Sequence, residues 1–188
     1  MSLEGKTALI TGASSGIGQG AAVALAFAGA SVICVARRED RLVETENALK
    51  EKNCSVTSAV VDINDHSAVQ NIFANHEIDI VVNAAGQARH SAAVETTSED
   101  YDAVMNVNLK SAYFISTTAA KSMLERSTNG SIIHISSQMA HVGGVDRAVY
   151  SASKHALEGM VKSMAIEWGP DGIRINSICP TFVRTPLT

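Results

Sequence analysis

The chain has 188 residues, a length that suits one compact domain. Hydrophobic residues make up 46% of it and aromatic residues only 4%, which predicts a core of alanine, valine, isoleucine and leucine. A net charge of -4 leaves no basic surplus for a nucleic-acid backbone, and no apolar run approaches the ~18 residues of a membrane span. We therefore predict a cytoplasmic protein without nucleic-acid or membrane partners.

Six short runs rich in valine and isoleucine predict strands at residues 7–11, 31–36, 56–61, 78–83, 131–136 and 174–179. Helical patterns lie between the runs. The longest are at residues 98–124, after the capping pattern Thr97-x-x-Asp100, and at residues 149–168. Alternating strands and helices predict an α/β fold, a single-domain Rossmann-type doubly wound parallel sheet with helices on both faces. Such sheets bind ligands at the carboxyl ends of their strands.

A glycine-rich loop, TGASSGIG at residues 11–18, directly follows the first predicted strand and opens a helix. Gly12 would permit a tight turn, Gly16 the approach of a pyrophosphate, and Gly18 the close packing of helix on strand. The helix N-terminus would supply N–H donors to the phosphates. The loop thus indicates a dinucleotide site, with a plain strand-to-helix turn as the alternative.

Tyr150 and Lys154 are four residues apart on a predicted helix, so their side chains share one face. An ammonium beside a phenol, whose ordinary pKa is about 10, favours the phenolate and makes the tyrosine usable as an acid/base near neutral pH. The alternative interpretation is a surface pair on an amphipathic helix.

The three cysteines, Cys34, Cys54 and Cys179, are widely spaced and form no Cys-x-x-Cys pair. No histidine stands at ligand spacing from any of them. We interpret them as structural thiols and predict no metal site.

The order of these motifs resembles the short-chain dehydrogenases/reductases, particularly carbonyl and xylulose reductases or 3-oxoacyl carrier-protein reductases. The matching segments are the loop at 11–18, Asp62-Ile63, Asn83-Ala84-Ala85-Gly86, Val107-Asn108-Leu109, Ser137 and Tyr150-x-x-x-Lys154. The family more often has Asn-Asn-Ala-Gly, so Ala84 is a departure. Thr181, after Pro180, likewise replaces a more frequent glycine.

The resemblance implies an oxidoreductase that moves hydride between a nicotinamide dinucleotide and a carbonyl or secondary alcohol. It implies Tyr150 as general acid/base, Lys154 on the nicotinamide ribose, and Ser137 on the substrate oxygen. It gives Asn108 a bound water that leads to the lysine. Gln138 is expected beside Ser137 and Tyr150 in the substrate site. The alternative is a nonenzymatic dinucleotide sensor or interaction protein on the same fold.

The resemblance also assigns contacts with the cofactor. Asp62 and Ile63 would hold the adenine, residues 83–86 would pass beside its ribose, and residues 180–185 would clasp the nicotinamide. The predicted cofactor-binding residues are Gly12, Ser14, Ser15, Gly16, Ile17, Gly18, Arg37, Arg38, Asp62, Ile63, Asn83, Ala84, Ala85, Gly86, Tyr150, Lys154, Pro180, Thr181, Val183 and Thr185.

The end of the second predicted strand indicates NADP rather than NAD. Ala36 offers no carboxylate for a ribose 2′-hydroxyl, and Arg37 or Arg38 could bind a 2′-phosphate through the guanidinium. In the alternative interpretation both arginines cap a solvated helix start and NAD is bound.

Family members continue beyond the position of Thr188 through a substrate-covering helix and a further strand. We therefore expect residues 1–188 to be a dinucleotide-binding catalytic domain that lacks this lid and last strand. Gln87, His90, His141 and Val142 are the further candidates for the wall of the substrate site. The two long helices carry small and apolar residues on more than one face, which predicts a homo-oligomer, dimer or tetramer.

Overall fold

The computed structural model describes residues 2–185. Its strands are β1 (Thr7–Thr11), β2 (Ser31–Ala36), β3 (Val56–Val60), β4 (Ile80–Asn83), β5 (Gly130–Ile135) and β6 (Ile173–Ile178). They form one parallel sheet in the order β3-β2-β1-β4-β5-β6. The chain order reverses between β1 and β4, the place where doubly wound sheets open a ligand crevice. The predicted fold class is confirmed.

The helices are α1 (Gly16–Phe27), α2 (Glu39–Lys50), α3 (His66–Asn75), α4 (Ser98–Met105), α5 (Ser111–Glu125) and α6 (Ala148–Trp168). The helix predicted at residues 98–124 is thus interrupted, because a π-helical turn, Asn106–Lys110, lies between α4 and α5. The predicted cap is present, since the Thr97 side chain accepts a hydrogen bond from the Asp100 N–H at 3.1 Å.

Residues of each strand alternate between two apolar layers. Leu9 packs in the layer of α3, α5 and α6, whereas its neighbours Ala8 and Ile10 pack in the layer of α1 and α2. Cys34 belongs to the second layer, and burial, with the Glu46 carboxylate nearby, raises the pKa of its thiol to about 12. Such a thiol is unreactive at neutral pH, which agrees with a structural cysteine.

Among residues 2–185 no helix combines the length and the apolar character needed to cross a membrane. The cytoplasmic location stays a prediction.

Candidate active site

The glycine-rich loop between β1 and α1 has the tight geometry that its sequence predicts. Gly12 and Gly16 have φ angles of 66° and 57°, in the left-handed region that residues with side chains rarely adopt. A Cβ atom on Gly18 would lie 2.3 Å from the carbonyl oxygen of Gly12, so only glycine allows α1 to come this close. Ser15, the N-cap residue of α1, makes no side-chain cap bond, and the first turn holds no acidic residue. The N–H groups that open α1 are therefore available to an anionic ligand.

The two arginines at the end of β2 take different positions. The Arg38 guanidinium donates hydrogen bonds to the hydroxyl oxygens of Ser15 at 2.8 Å and Ser14 at 3.2 Å. The Arg37 guanidinium lies 3.9 Å from the Asp62 carboxylate, and both of these side chains are exposed. Arg38, Ser14 and Ser15 thus form a cluster of cationic and hydroxyl donors beside the glycine loop, a donor set suited to a phosphate.

A buried polar network lies behind the cleft, across β1, β4 and β5. The Thr11 hydroxyl donates to Asn83 Oδ1 at 2.6 Å, and Asn83 Nδ2 lies 3.2 Å from Nδ1 of the fully buried His134. The Asn83 side chain is therefore engaged within the sheet and does not line the cleft, unlike Ala84 and the residues that follow it. Its predicted contact with a cofactor stays a prediction.

The first half of α6 presents Tyr150 and Lys154 to the cleft. The Lys154 ammonium lies 5.8 Å from the centre of the Tyr150 ring and donates to the Ile135 carbonyl at 2.9 Å. The lysine is 4% exposed, and this burial lowers its pKa from 10.5 to about 8. The amine can therefore change its protonation state within a catalytically useful pH range.

Asn108 connects the loop after β4 to α6 through hydrogen bonds. It is buried in the π-helical turn, where its Oδ1 accepts from the Gln87 N–H at 2.8 Å and its Nδ2 donates to the Gln87 carbonyl at 2.9 Å. Nδ2 also lies 3.1 Å from the hydroxyl of Ser153, which donates to the Tyr150 carbonyl at 2.7 Å. These bonds fix the backbone behind Tyr150, while the water that leads to Lys154 stays a prediction.

Ser137 stands where β5 ends, as the sequence indicates. Its hydroxyl oxygen accepts a hydrogen bond from the Met139 N–H at 3.1 Å and lines the cleft. Gln138, the other predicted substrate residue, is not among the residues that line the cleft. Its backbone N–H donates a hydrogen bond to the Pro180 carbonyl at 2.9 Å. This bond ties the loop after β5 to the loop after β6.

One cleft of about 430 Å³, a common size for ligand sites, joins the glycine loop to Tyr150. The predicted site residues that line it are Gly12, Ser14, Ser15, Gly16, Ile17, Gly18, Arg37, Arg38, Asp62, Ile63, Ala84, Ala85, Gly86, Ser137, Tyr150, Lys154, Pro180, Thr181, Val183 and Thr185. The wall also holds Gln87, expected at the substrate site, and residues absent from the predicted site, which are Ala36, Val61, Val107, Ile135 and Ser136. Most of these additional residues lie at the carboxyl ends of strands, and this position could have predicted that they line the cleft.

Among the residues that the structure describes, one group of side chains could in principle hold a metal ion. His141, Glu158 and Cys179 each offer a ligand atom, and these atoms are within 4.8 Å of one another. Glu158 already accepts hydrogen bonds from Ser177 at 2.8 Å and from the Cys179 thiol at 3.5 Å. We interpret the bonds of Glu158 as part of the packing of α6 against β6 and the residue that follows it, and the absence of a metal site stays a prediction.

Comparison with known proteins agrees with this geometry. The family model for short chain dehydrogenases matches residues 6–188. The fold and the cleft define an NAD(P)-dependent oxidoreductase, and the chain belongs to the short-chain dehydrogenase family.

Relatives cover the whole chain. A 2-dehydro-3-deoxy-D-gluconate 5-dehydrogenase of Bacillus subtilis is 40% identical over 100% of this chain and 74% of its own length. Carbonyl reductase [NADPH] 2 of Sus scrofa is 38% identical over 100% of the chain and 75% of its own length. A crystal structure from Agrobacterium tumefaciens, assigned as a 2-deoxy-D-gluconate 3-dehydrogenase with bound NADP, superposes with a TM-score of 0.94 at 38% identity. That match covers 98% of this chain and 74% of the other.

Proposed function

We propose that this protein transfers a hydride between NADP(H) and a carbonyl compound or secondary alcohol, with Tyr150 as general acid/base. The observation that carries the proposal is the meeting of Tyr150, Lys154 and Ser137 in one cleft that continues to the glycine loop. The cleft fits a dinucleotide, because Gly12 and Gly18 let the loop and α1 pack tightly against the neighbouring backbone, and the N-terminus of α1 carries neither a side-chain cap bond nor an acidic residue. When bound, the dinucleotide supplies or accepts the hydride.

The side chains of the cleft handle the proton. In the direction of reduction, the Tyr150 hydroxyl gives its proton to the carbonyl oxygen as the carbonyl carbon receives the hydride, and a phenolate remains. In the opposite direction the phenolate takes the proton of the alcohol. The Ser137 oxygen accepts from the Met139 N–H, which leaves the hydroxyl hydrogen free to point at the substrate oxygen.

Lys154 supports the tyrosine in both directions. Its ammonium gives one hydrogen bond to the Ile135 carbonyl, so two N–H groups remain for ribose hydroxyls. Its positive charge stabilises the Tyr150 phenolate. Asn108 is a positioning residue, because it bonds the Gln87 backbone and the Ser153 hydroxyl, which in turn bonds the Tyr150 carbonyl, and not the reacting atoms.

Arg38 supports the preference for NADP. Its guanidinium and the Ser14 and Ser15 hydroxyls form the donor cluster at the end of β2, and related structures hold NADP. We expect Arg38→Ala to raise KM for NADPH at least tenfold and to change KM for NADH little, whereas Arg37→Ala is the matched control. Equal catalytic efficiency of the parent with NADH would overturn this preference.

The proposal is tested by mixing the purified chain with NADPH and a panel of aldehydes and ketones, and following the absorbance of the reduced nicotinamide. Turnover that Tyr150→Phe abolishes supports it. Binding of NADPH without turnover of any carbonyl compound would instead indicate a dinucleotide sensor. Related enzymes named for sugar acids, carbonyls and L-xylulose give candidates for the panel, but these names include both acidic and neutral substrates.

We also propose that the chain forms a homo-oligomer through the outer faces of α5 and α6. Tyr113 and Phe114 on α5 are more than two-fifths exposed, and Ile166 on α6 is 80% exposed. Covering such side chains removes apolar surface from water. Light scattering at micromolar concentration is expected to give at least a dimer mass, and a monomer mass would refute the oligomer.

A further inference from the structure

A buried carboxylate, that of Glu158, lies on α6 one helical turn beyond Lys154 and takes no part in the proposed proton transfer. Glu158 is only 8% exposed. Its Oε2 accepts a hydrogen bond from the Ser177 hydroxyl at 2.8 Å, and its Oε1 accepts one from the Cys179 thiol at 3.5 Å. These bonds connect α6 to β6 and to the residue that follows β6, but they leave the charge of the carboxylate without an explanation.

The two hydrogen bonds do not require a negative charge. The amide oxygen of a glutamine could accept from the same hydroxyl and thiol, whereas a buried carboxylate destabilises the fold unless a positive charge compensates it. Burial alone would raise the pKa of Glu158, but its hydrogen-bond donors and the charge of His141 outweigh burial and lower that pKa below its ordinary value. The carboxyl group is therefore ionised at neutral pH, and its charge acts on the basic groups around it.

Lys154 supplies a buried positive charge on the same face of α6, because residues four apart on a helix are neighbours. The ammonium donates to the Ile135 carbonyl at the end of β5, and Ser177, which binds Glu158, is the sheet partner of the residue before Ile135. Both head groups thus lie over the carboxyl ends of β5 and β6. Burial lowers the pKa of Lys154 to about 8, and Cys179 and Glu158 act in the opposite direction. Because the Cys179 thiol donates its hydrogen to Glu158, the carboxylate carries the full negative charge of these two groups.

We propose that Glu158 is a positioning residue that keeps Lys154 in its charged form, so that the lysine can support the Tyr150 phenolate at neutral pH. The inference rests on the proposed function, because it concerns how the same lysine assists the acid/base. Glu158 acts through the lysine and does not contact the reacting atoms. Its loss should therefore change the pH at which the enzyme works, and not only the rate.

The other titratable groups around Lys154 do not compensate its charge. His134 on β5 is neutral, since burial and then the charge of Lys154 lower its pKa to about 3. Tyr150, on the preceding turn of α6, is the group that the lysine supports. His141, in the segment after β5, is exposed, and its charge acts on Glu158. Glu158 is thus the anionic side chain that acts on the ammonium.

Urea unfolding measures the charge of Lys154 without any substrate. The difference in unfolding free energy between Lys154→Met and the parent is constant at low pH and begins to decrease at the folded-state pKa of the lysine, about 8. In a Glu158→Gln background the same difference should begin to decrease about one pH unit lower, because the ammonium has lost a nearby opposite charge. Glu167→Gln removes an exposed carboxylate from the same helix and should leave the onset at about 8. An onset that Glu158→Gln does not move would overturn the proposal.

Turnover gives a second measurement, with NADPH and the fastest-reacting member of the aldehyde and ketone panel. Glu158→Gln should move the alkaline decrease of kcat/KM to lower pH by about one unit, and Glu158→Asp, which keeps the charge, should restore the parent profile. Cys179→Ser keeps a hydrogen-bond donor to the carboxylate and should leave the profile in place. A loss of activity that is equal at every pH, or a shift with Cys179→Ser but not with Glu158→Gln, would overturn the proposal. Failure of every carbonyl compound to react would instead overturn the proposed function, and the urea comparison would still decide the role of Glu158.

Discussion

Replacing Lys154 with methionine is expected to stabilise the protein without dinucleotide while it removes the activity. Burial lowers the pKa of this lysine from 10.5 to about 8. At about 1.4 kcal/mol for each pH unit, keeping the ammonium charged at pH 7 destabilises the folded state by about 3 kcal/mol. Methionine loses the hydrogen bond to the Ile135 carbonyl, which is worth roughly 1 kcal/mol. The net gain is therefore about 2 kcal/mol.

The pH dependence of the free energy of unfolding tests the same effect of the buried Lys154 charge. Because the folded-state pKa of Lys154 lies below the unfolded-state value, the unfolded chain holds more protons between pH 8 and 10.5. The free energy of unfolding of the parent should therefore rise through this window relative to that of the methionine variant. The advantage of the variant is complete below pH 8 and disappears above pH 10.5.

Urea unfolding at pH 7 and at pH 9.5 measures both quantities. Lys162→Met is the matched control, because Lys162 lies on the same helix but is exposed, and it should stay within about 0.5 kcal/mol of the parent. A Lys154→Met variant that unfolds more easily than the parent at pH 7 would refute the reasoning. Its affinity for NADPH, measured separately by calorimetry, should fall, since the ribose loses its donors.

Three further changes test the catalytic pair, the loop and the sheet. Tyr150→Phe should lower kcat by about 10²–10⁴ while the Kd for NADPH stays within twofold, and a loss of only a few-fold would exclude Tyr150 as acid/base. Gly18→Ala places a Cβ 2.3 Å from the Gly12 carbonyl oxygen and should abolish NADPH binding, measured by fluorescence titration. Gly20→Ala is the control, because an added Cβ there meets no atom within 4 Å, and it should preserve binding. His134→Leu leaves the buried Asn83 amide nitrogen without its partner, whereas Ser116 keeps its bond to the Ala112 carbonyl. The change should cost about 1–4 kcal/mol in urea unfolding, and a cost below about 1 kcal/mol would show that the network is dispensable.

Short-range patterns predicted most of the fold. The strand runs and the glycine loop are local signals, and the observed strand ends differ from the predicted ones by at most two residues. The largest difference is at β4, predicted from residue 78 and observed from Ile80. Ile78 is as apolar as a strand residue, but its carbonyl accepts a hydrogen bond from Arg126 at 2.6 Å instead of a strand partner. A partner 48 residues away leaves no mark in a local pattern.

The features that sequence could not predict depend on such distant partners. In the π-helical turn, Asn108 forms hydrogen bonds with Gln87, which is 21 residues away in the chain. The spacing of apolar residues along the helix depends only on near neighbours and therefore did not indicate the turn. Arg37 and Arg38 are equivalent in sequence, and only the position of the glycine loop places one of them beside two hydroxyls. Asn83 belongs to the segment 83–86 that the resemblance assigns to cofactor binding, but its side-chain amide contacts His134 inside the sheet.

The buried network of Thr11, Asn83, His134 and Ser116 keeps the His134 ring neutral behind the cleft. Asn83 Oδ1 accepts from Thr11, so the amide turns its Nδ2 donor toward Nδ1 of His134, which must then accept. The remaining ring proton is on Nε2, 2.8 Å from the Ser116 hydroxyl. A second ring proton would face the amide donor, and burial and the charge of Lys154 lower the pKa of His134 to about 3. The histidine therefore stays neutral at the pH of catalysis. A charged ring here would repel the ammonium and weaken its support of the Tyr150 phenolate, so the neutral ring favours the charged form of Lys154 that the proposed reaction needs.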